Sequence, residues 1–187
     1  MKKLCRIIAC CLWVLTATHA HAFDPGVQPV AAQGTLQAAF APWDNVEKIL
    51  TDEIGGAKKQ ILVQAYLLTS KKIASALIAA HRRGVDVQVL VDAEQLDRVG
   101  SSKAHDLSRA GIRVWRETKY QNAHNKVIVI DAETPHSIVI TGSYNFTWTA
   151  QHRNAENILI ARNNATLAAR YVSNWNRHRL DAIQLTK

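Results

Sequence analysis

The stretch AHNKVIVIDAETPHSIVITGSYNF, residues 123–146, contains two apolar runs joined by a short polar loop. The runs KVIVID (126–131) and SIVITG (137–142) are rich in β-branched residues, which is typical of strands. Because so short a connection cannot cross a sheet, the two runs are predicted to form an antiparallel hairpin. The returning arm of that hairpin would bring the residues after Gly142 beside the residues that open the first strand.

The chain upstream of the hairpin alternates between apolar runs and helix patterns that end at glycine. The runs ILVQAYLL (61–68) and VDVQVLVD (85–92) are apolar on both faces, as expected for strands covered by helices on both sides. Helices are predicted over 45–54, 71–83, 101–110 and 163–178, and further strands over 36–40, 112–115 and 156–161. The sequence therefore predicts a single α/β domain, in which a mixed, largely parallel sheet is sandwiched between helices.

Residues 1–22 have the features of a secretory signal peptide. A basic start precedes an apolar run over 7–17, and Ala20-His21-Ala22 predicts cleavage before Phe23 and export to the periplasm or the medium. The apolar run is shorter than the roughly 20 residues of a membrane span. A lipoprotein anchor at Cys10 is the other alternative, but the main apolar stretch follows this cysteine instead of preceding it. Residues 23–34 are rich in proline and glycine and predict a flexible segment before a catalytic domain over 35–180.

The charge and the cysteines narrow the class of function. The chain has 23 Lys and Arg against 15 Asp and Glu; removal of the leader would take away three basic residues and leave about +5. A basic surface favours a polyanion such as nucleic acid, or an anionic membrane. All three cysteines lie in the leader, which excludes a cysteine nucleophile or a cysteine-ligated zinc in the processed chain.

The hairpin predicts a cluster of polar side chains at one end. Side chains two apart on a strand point to the same face, so His124 and Lys126 project together. Ser143 and Asn145 on the returning arm should lie beside them. Lysine, serine and asparagine donate hydrogen bonds suited to phosphate oxygens, and a neutral imidazole can attack phosphorus or move a proton. The cluster predicts a site for cleaving phosphodiesters.

The spacing of these residues resembles the signature of the phospholipase D superfamily. HxKxxxxD is present at His124, Lys126 and Asp131, and GSxN at Gly142, Ser143 and Asn145. AYLLTS (65–70), AAHRRGVDVQVLVD (79–92), NFT (145–147) and NAEN (154–157) resemble the small single-motif bacterial members, the Nuc-type endonucleases. The resemblance covers nearly all of residues 35–180 and implies the phospholipase D/nuclease fold.

The resemblance also implies a role for each matched residue. His124 would be the nucleophile that forms a phosphohistidine, and Lys126 and Asn145 would hold the non-bridging oxygens. Ser143 would support the phosphate pocket or its histidine. Asp131 completes the motif at the far end of the strand, where a structural or orienting role is expected. Glu156 matches an acidic residue that hydrogen-bonds the histidine and fixes its tautomer.

A single motif predicts a homodimer without a metal or other cofactor. One histidine must attack while a second protonates the leaving oxygen, because one group cannot be base and acid in the same step. The chain has one HxK, so a second copy is expected to supply the other half. The competing interpretation is a metal-dependent nuclease that uses His124, Asn125, His136 and His152, although no H-E-x-x-H or paired-carboxylate motif is present.

The remaining predictions concern the substrate. Tyr144 and Trp148 flank the motif and are predicted to contact the substrate. Arg153 is predicted to line a groove that binds a polyanion. The tryptophans in general, including Trp43, Trp115 and Trp175, are predicted to be core or interface anchors. The leading hypothesis is an exported, metal-independent phosphodiesterase, a nonspecific endonuclease acting on DNA or RNA. The alternatives are a phospholipase D that produces phosphatidate and a catalytically silent nucleic-acid-binding dimer.

Overall fold

A computed structural model describes residues 27–186, so the predicted leader over 1–22 lies outside the described residues. Within this range the strands are β1 (Thr35–Ala41), β2 (Gln60–Ala65), β3 (Asp86–Asp92), β4 (Arg113–Glu117), β5 (Lys126–Ile130), β6 (Ile138–Gly142), β7 (Glu156–Arg162) and β8 (Ala182–Gln184). The helices described in the same range are α1 (Val46–Gly56), α2 (Lys71–Arg82), α3 (Ala93–Arg98), α4 (Ala104–Arg109), α5 (Trp148–His152) and α6 (Ala165–Leu180).

All eight strands belong to one mixed sheet with the order β1-β7-β6-β5-β2-β3-β4-β8. The predicted hairpin is confirmed: β5 and β6 pair antiparallel, with Val127 opposite Thr141. The expectation of a largely parallel sheet is wrong, because parallel pairing is limited to β2–β3 and β3–β4. Helices connect β2 to β3 and β3 to β4, which run parallel. Strand β5 instead pairs antiparallel with β2, β6 pairs antiparallel with β5, and β7 pairs antiparallel with β6.

The longer helices begin at side-chain caps that the sequence suggests. Asn45 accepts a hydrogen bond from the Lys48 backbone N–H before α1, and Ser70 accepts one from Ile73 before α2. Helix α3 was not predicted because it follows β3 without an intervening loop, and α5 and β8 are too short for periodicity to reveal. The helix predicted over 101–110 is confined to α4.

The sheet carries helices on both faces, as predicted. One face packs against α1, α2 and α4 through the buried residues Leu50, Ile54, Leu77 and Leu107. Helix α6 covers the other face, where Trp175 is buried, donates from its indole N–H to the Val63 carbonyl (3.0 Å) and meets the Trp115 ring edge-on. Helix α6 lies over the sheet from β6 to β8, so the β1–β7 edge on this face stays uncovered, with Leu36, Phe40 and Leu159 exposed.

Residues 27–33 have no regular secondary structure but lie against α6. The carbonyl of Gln28 accepts a hydrogen bond from Arg170, and that of Ala31 accepts one from Asn164, the cap of α6. No helix within residues 27–186 has both the length and the apolar character needed to cross a bilayer.

Candidate active site

The candidate site lies at the sheet edge where β2 and β3 end and β5 begins. Lys126 is the first residue of β5 and pairs with Ala65, the last residue of β2. Since Val127 lies opposite Thr141, the residues that follow Gly142 run level with the residues that precede Lys126. His124, Lys126, Ser143 and Asn145 therefore belong to the same end of the hairpin.

His124 is exposed and rests against an aromatic ring. Its imidazole lies 4.3 Å from the Tyr66 ring, centroid to centroid, with the two planes inclined at 54°. Partial burial and the nearby Lys126 ammonium lower the pKa of His124, and the carboxylate of Asp92 partly opposes this effect. The imidazole is therefore neutral at pH 7, which is the form that can act as a nucleophile.

Lys126 places a buried cation beneath this imidazole. The side chain is 7% exposed, and its ammonium donates a hydrogen bond to the His124 carbonyl at 2.8 Å while lying 4.6 Å from the centre of the Tyr66 ring. Burial lowers the pKa of Lys126 to about 8, although the negative charge of Glu156 acts in the opposite direction. Lys126 is still mainly an ammonium at pH 7. The His124 carbonyl and the Tyr66 ring hold this ammonium in one orientation.

Gly142 is required by the close approach of β7. A Cβ on this glycine would lie 2.2 Å from the Asn157 carbonyl oxygen, so any side chain would force the two strands apart. The approach lets the Ser143 backbone N–H donate to the Asn157 carbonyl (3.1 Å), and the Asn157 N–H donate to the Ser143 hydroxyl oxygen (3.1 Å). Gly142 thus allows the close strand approach through which Asn157 holds Ser143 in place.

Glu156 contacts the serine of the motif instead of its histidine. Its carboxylate accepts hydrogen bonds from the Ser143 hydroxyl (2.5 Å) and the Asn154 amide (2.8 Å). The expected hydrogen bond from His124 to Glu156 is absent from the described residues. Sequence reasoning could not anticipate this, because the pairing of β6 with β7 decides which side chain Glu156 reaches.

Asn145 is half-buried, and its side-chain oxygen has no hydrogen-bond partner among the described residues. The backbone on either side is fixed, since Phe146 donates to the Leu67 carbonyl (3.1 Å) and its own carbonyl accepts from Thr69 (2.9 Å). The amide is therefore held at the site, and its NH₂ group, not this oxygen, is the part that can donate to a phosphate oxygen.

The predictions about flanking aromatic residues need correction. Tyr144 is 1% exposed and lies in the core, so it cannot contact a substrate: successive side chains alternate in direction here, and Ser143 and Asn145 take the outer side. Trp148 is exposed, as expected for substrate contact, and Arg153 lies over its ring at 5.8 Å. Trp43 is also exposed, whereas Trp115 and Trp175 are core residues.

Asp131 lies at the opposite end of β5 from His124, so the structure does not bring it to the site. Its carboxylate accepts hydrogen bonds from three consecutive backbone N–H groups, those of Lys58 (2.8 Å), Lys59 (2.7 Å) and Gln60 (2.9 Å). It also adopts a left-handed conformation, with φ of 49°. Asp131 thus joins the end of β5 to the start of β2 and keeps the two strands in register.

We expect replacement of Asp131 by alanine to lower the free energy of unfolding by about 2–4 kcal/mol, because three N–H donors lose a charged acceptor. The Asp131→Asn protein should lose less stability, since asparagine tolerates φ > 0 and keeps one oxygen. Urea unfolding of both variants measures the effect. Glu133→Ala, which removes an exposed carboxylate from the same loop, is the matched control; an Asp131→Ala protein as stable as this control would contradict the assignment.

The alternative metal site is not assembled in the part of the chain described. Within residues 27–186, no group of three or more His, Cys, Asp or Glu side chains is placed to hold a metal ion. His136 lies in the loop that follows Asp131, at the far end of β5, and the His152 ring stacks on Trp148 at 4.6 Å. Neither histidine lies in the cluster formed by His124, Lys126 and Tyr66.

Two residues of the site were missed from the sequence. Tyr66 follows β2 and contacts both His124 and Lys126, and Asp92 ends β3 and influences His124 electrostatically. Both lie at the carboxyl ends of adjacent parallel strands, a location where site residues are common in α/β sheets. The strand ends could be read from the sequence pattern. That they lie beside His124 depends on the pairing of β5 with β2, which the sequence pattern does not show.

Comparison with known proteins agrees with this geometry. A family model described as cardiolipin synthase, PLD-like domain, matches residues 50–179. A phospholipase D of Rickettsia bellii is 40% identical over 144 residues, which cover 77% of this chain and 69% of the relative. A mitochondrial cardiolipin hydrolase of Xenopus laevis is 32% identical over 117 residues, covering 63% of this chain and 53% of the relative.

Among solved structures, the chain is similar to Nuc from Salmonella typhimurium, a phospholipase D family member. The two superpose with a TM-score of 0.75 at 28% sequence identity, and the match covers 82% of this chain and 99% of the other. The similarity extends over nearly the whole of the described sheet and helices.

Proposed function

Since the chain belongs to the phospholipase D superfamily and is a phosphodiesterase of that superfamily, we propose that it hydrolyses the phosphodiester bonds of nucleic acid through a phosphohistidine at His124. The observation that carries this proposal is the placement of the exposed His124 imidazole beside the buried, oriented Lys126 ammonium at one sheet edge. A phosphodiester needs both: a nucleophile for phosphorus and a fixed positive charge for the oxygens that become more negative in the transition state.

The proposed reaction has two steps. An imidazole nitrogen of His124 attacks phosphorus, the bond to the leaving oxygen breaks, and a protonated second histidine gives that oxygen its proton. The same second histidine, now neutral, removes a proton from water, whose oxygen attacks the phosphohistidine and restores His124. Lys126 and the Asn145 amide stabilise the non-bridging oxygens, while Ser143, held by Glu156, shapes the pocket.

The second histidine is proposed to come from another copy of the chain. HxK occurs once in the sequence. Phe40, at one end of the exposed apolar strip of Leu36, Phe40 and Leu159, lies directly opposite Asn157, which contacts Ser143. A two-fold pairing over this region would cover apolar surface and bring both His124 side chains to one phosphate.

Nucleic acid is proposed as the substrate because the chain is basic, at about +5 without the three basic residues of the leader, and because its motif resembles single-motif nucleases. Trp148 with Arg153 adds an exposed aromatic and cationic pair at the two ends of α5, which directly follows the motif in the chain. Phospholipid is the second candidate, favoured by the relatives described as phospholipase D and cardiolipin hydrolase. A silent binding dimer is disfavoured because every residue of the motif is present. Export through residues 1–22 remains part of the proposal.

One assay tests the function. Purified protein is incubated with plasmid DNA, with single-stranded RNA and with phospholipid vesicles, each with and without EDTA. We expect DNA cleavage that survives EDTA and weakens steeply with added salt, because phosphate contacts dominate affinity. Release of phosphatidate with intact DNA would transfer the proposal to phospholipid. Loss of all cleavage in EDTA, restored by a divalent metal, would contradict the metal-independent mechanism.

A further inference from the structure

A buried carboxylate lies directly behind the nucleophile and has no part in the reaction described above. Asp92 ends β3, is 1% exposed and forms no ion pair with any residue in 27–186. One carboxylate oxygen accepts from the Gln95 backbone N–H at 2.8 Å and caps α3. The other accepts from the Ala123 backbone N–H at 2.7 Å.

The second of these hydrogen bonds fixes the connection that carries His124. Residues 118–125 cross from β4 to β5 above the ends of β3 and β2, and most of them are exposed. Ala123 is buried and joined to Asp92, and Asn122 accepts from the Tyr66 hydroxyl at 3.3 Å. His124 lies two residues before the first residue of β5, between two fixed neighbours. The Tyr66 backbone N–H donates to the Asn125 carbonyl at 2.9 Å on one side, and Asp92 holds the Ala123 N–H on the other.

We infer that Asp92 is a positioning residue for His124, fixing the backbone just before the nucleophile and setting one negative charge behind its imidazole. The inference rests on the proposed function, in which His124 attacks phosphorus. A carboxylate buried without a cation is costly, and two backbone N–H bonds with a nearby imidazole are the partners that the structure gives it.

The charge of Asp92 bears on both histidines of the proposed reaction. The groups that face His124 are Lys126 from β5, Tyr66 after β2 and Asp92 from β3, and Glu156 on β7 acts through Lys126. Burial and Lys126 lower the pKa of His124, and Asp92 is the group that raises it. Without Asp92 the imidazolium form would be harder to populate, and the step that protonates the leaving oxygen needs that form.

Asp92→Asn and Asp92→Ser separate this role from helix capping. Asparagine and serine are both good N-caps, so α3 should be retained in each variant. Each loses the charge and the carboxylate bond to Ala123. We expect folded proteins whose kcat falls by about 10- to 100-fold through misplacement of the nucleophile, with KM changed much less. Both limbs of the pH profile should move to lower pH. Asp92→Glu, which restores the charge, should return the limbs towards their original positions.

The readouts are kcat, KM and the pH profile on bis(p-nitrophenyl) phosphate, with folding checked by circular dichroism. The imidazole titration of His124, followed by NMR, should also move to lower pH in Asp92→Asn, and this measurement does not depend on activity. Asp97→Asn removes a charge from the same helix and is the control. If folded Asp92→Asn and Asp92→Ser keep kcat within twofold of this control and the His124 titration is unchanged, the inference is overturned.

The outcome is distinguishable from failure of the proposed function. A wild-type protein without phosphodiesterase activity would remove the function, while the shift in the His124 titration would still report on Asp92. An active wild-type protein with unaffected Asp92 variants would leave the function in place and reduce Asp92 to a helix cap.

Discussion

Replacing His124 by alanine is expected to abolish turnover while leaving the fold and the affinity for DNA largely intact. The exposed imidazole contributes little to the core, and the Tyr66 ring that it covers can become solvated. Without the imidazole no covalent intermediate can form, and a loss of about 10⁴-fold or more is expected, the size seen when a nucleophile is removed. Plasmid cleavage measures the loss, and fluorescence anisotropy with a labelled oligonucleotide measures the binding.

His136→Ala is the matched control, because this exposed histidine lies at the other end of β5, where its backbone N–H donates to the Thr134 hydroxyl. It should cleave DNA at the wild-type rate. Trapping of radiolabelled phosphate on the wild-type protein, but not on His124→Ala, would identify the intermediate. A His124→Ala protein with unchanged turnover would remove the covalent mechanism.

Mixing wild-type and His124→Ala chains tests the shared site. If both histidines of a dimer are needed, only dimers of two wild-type chains are active, and an equal mixture re-equilibrated through denaturant keeps about one quarter of the activity of the same total amount of wild type. A chain that acts alone would keep one half. A linear dependence of activity on the wild-type fraction would therefore contradict the composite site, whatever the oligomeric state measured in solution.

The second large effect is expected for Lys126→Met, which should lower kcat by about 10²–10³, the usual loss when one transition-state donor is removed.

The same change should raise the stability of the protein. The pKa of Lys126 is about 8 when folded, below the ordinary value of 10.5, so the unfolded chain binds the proton more tightly and the buried ammonium opposes folding. This penalty is fully present below pH 8 and disappears as the pH rises towards 10.5. Urea unfolding at pH 7 should show Lys126→Met as the more stable protein.

The pH dependence provides a further check on Lys126. Wild-type kcat/KM should decline above about pH 8 as the ammonium loses its proton, in addition to the histidine limbs, which belong to the coupled pair. Lys126→Arg keeps its charge and should not show this decline, although its geometry lowers the maximum rate. Lys48→Met, at an exposed position on α1, is the control for both activity and stability. A Lys126→Met protein that is both active and less stable would contradict the assignment.

The opposite effects on activity and stability have a common cause. A cation is useful to a phosphate site when it is buried and aimed, because little reorganisation is then needed as charge develops. Burial also lowers the pKa of the ammonium, so that it loses its proton more readily. Lys126 shows this compromise directly: its ammonium contacts one carbonyl and one aromatic ring, and the carboxylate of Glu156 raises its pKa against the effect of burial.

Local patterns predicted the elements that depend on neighbours in the chain. The β5–β6 hairpin follows from two apolar runs and a short loop. The prediction of a largely parallel sheet was wrong because the antiparallel pairing of β5 with β2 joins strands that are distant in the sequence. Tyr144 was wrongly predicted to touch substrate, since its burial depends on α1 and α5, which pack around it through contacts such as that with Gln151.

The sequence by itself determined the chemistry: which side chains are present, that His124 and Lys126 share a face, and that Ser143 and Asn145 return beside them. Spacing along one hairpin is enough for that, because the two-residue period and the turn fix the directions of the side chains. Only the tertiary structure decided what surrounds them. Tyr66 and Asp92 come from strands distant in sequence, Glu156 is turned to Ser143 by the β6–β7 pairing, and Asp131 joins strands at the far end. Burial and charge, which set the pKa values of His124 and Lys126, depend on those long-range neighbours.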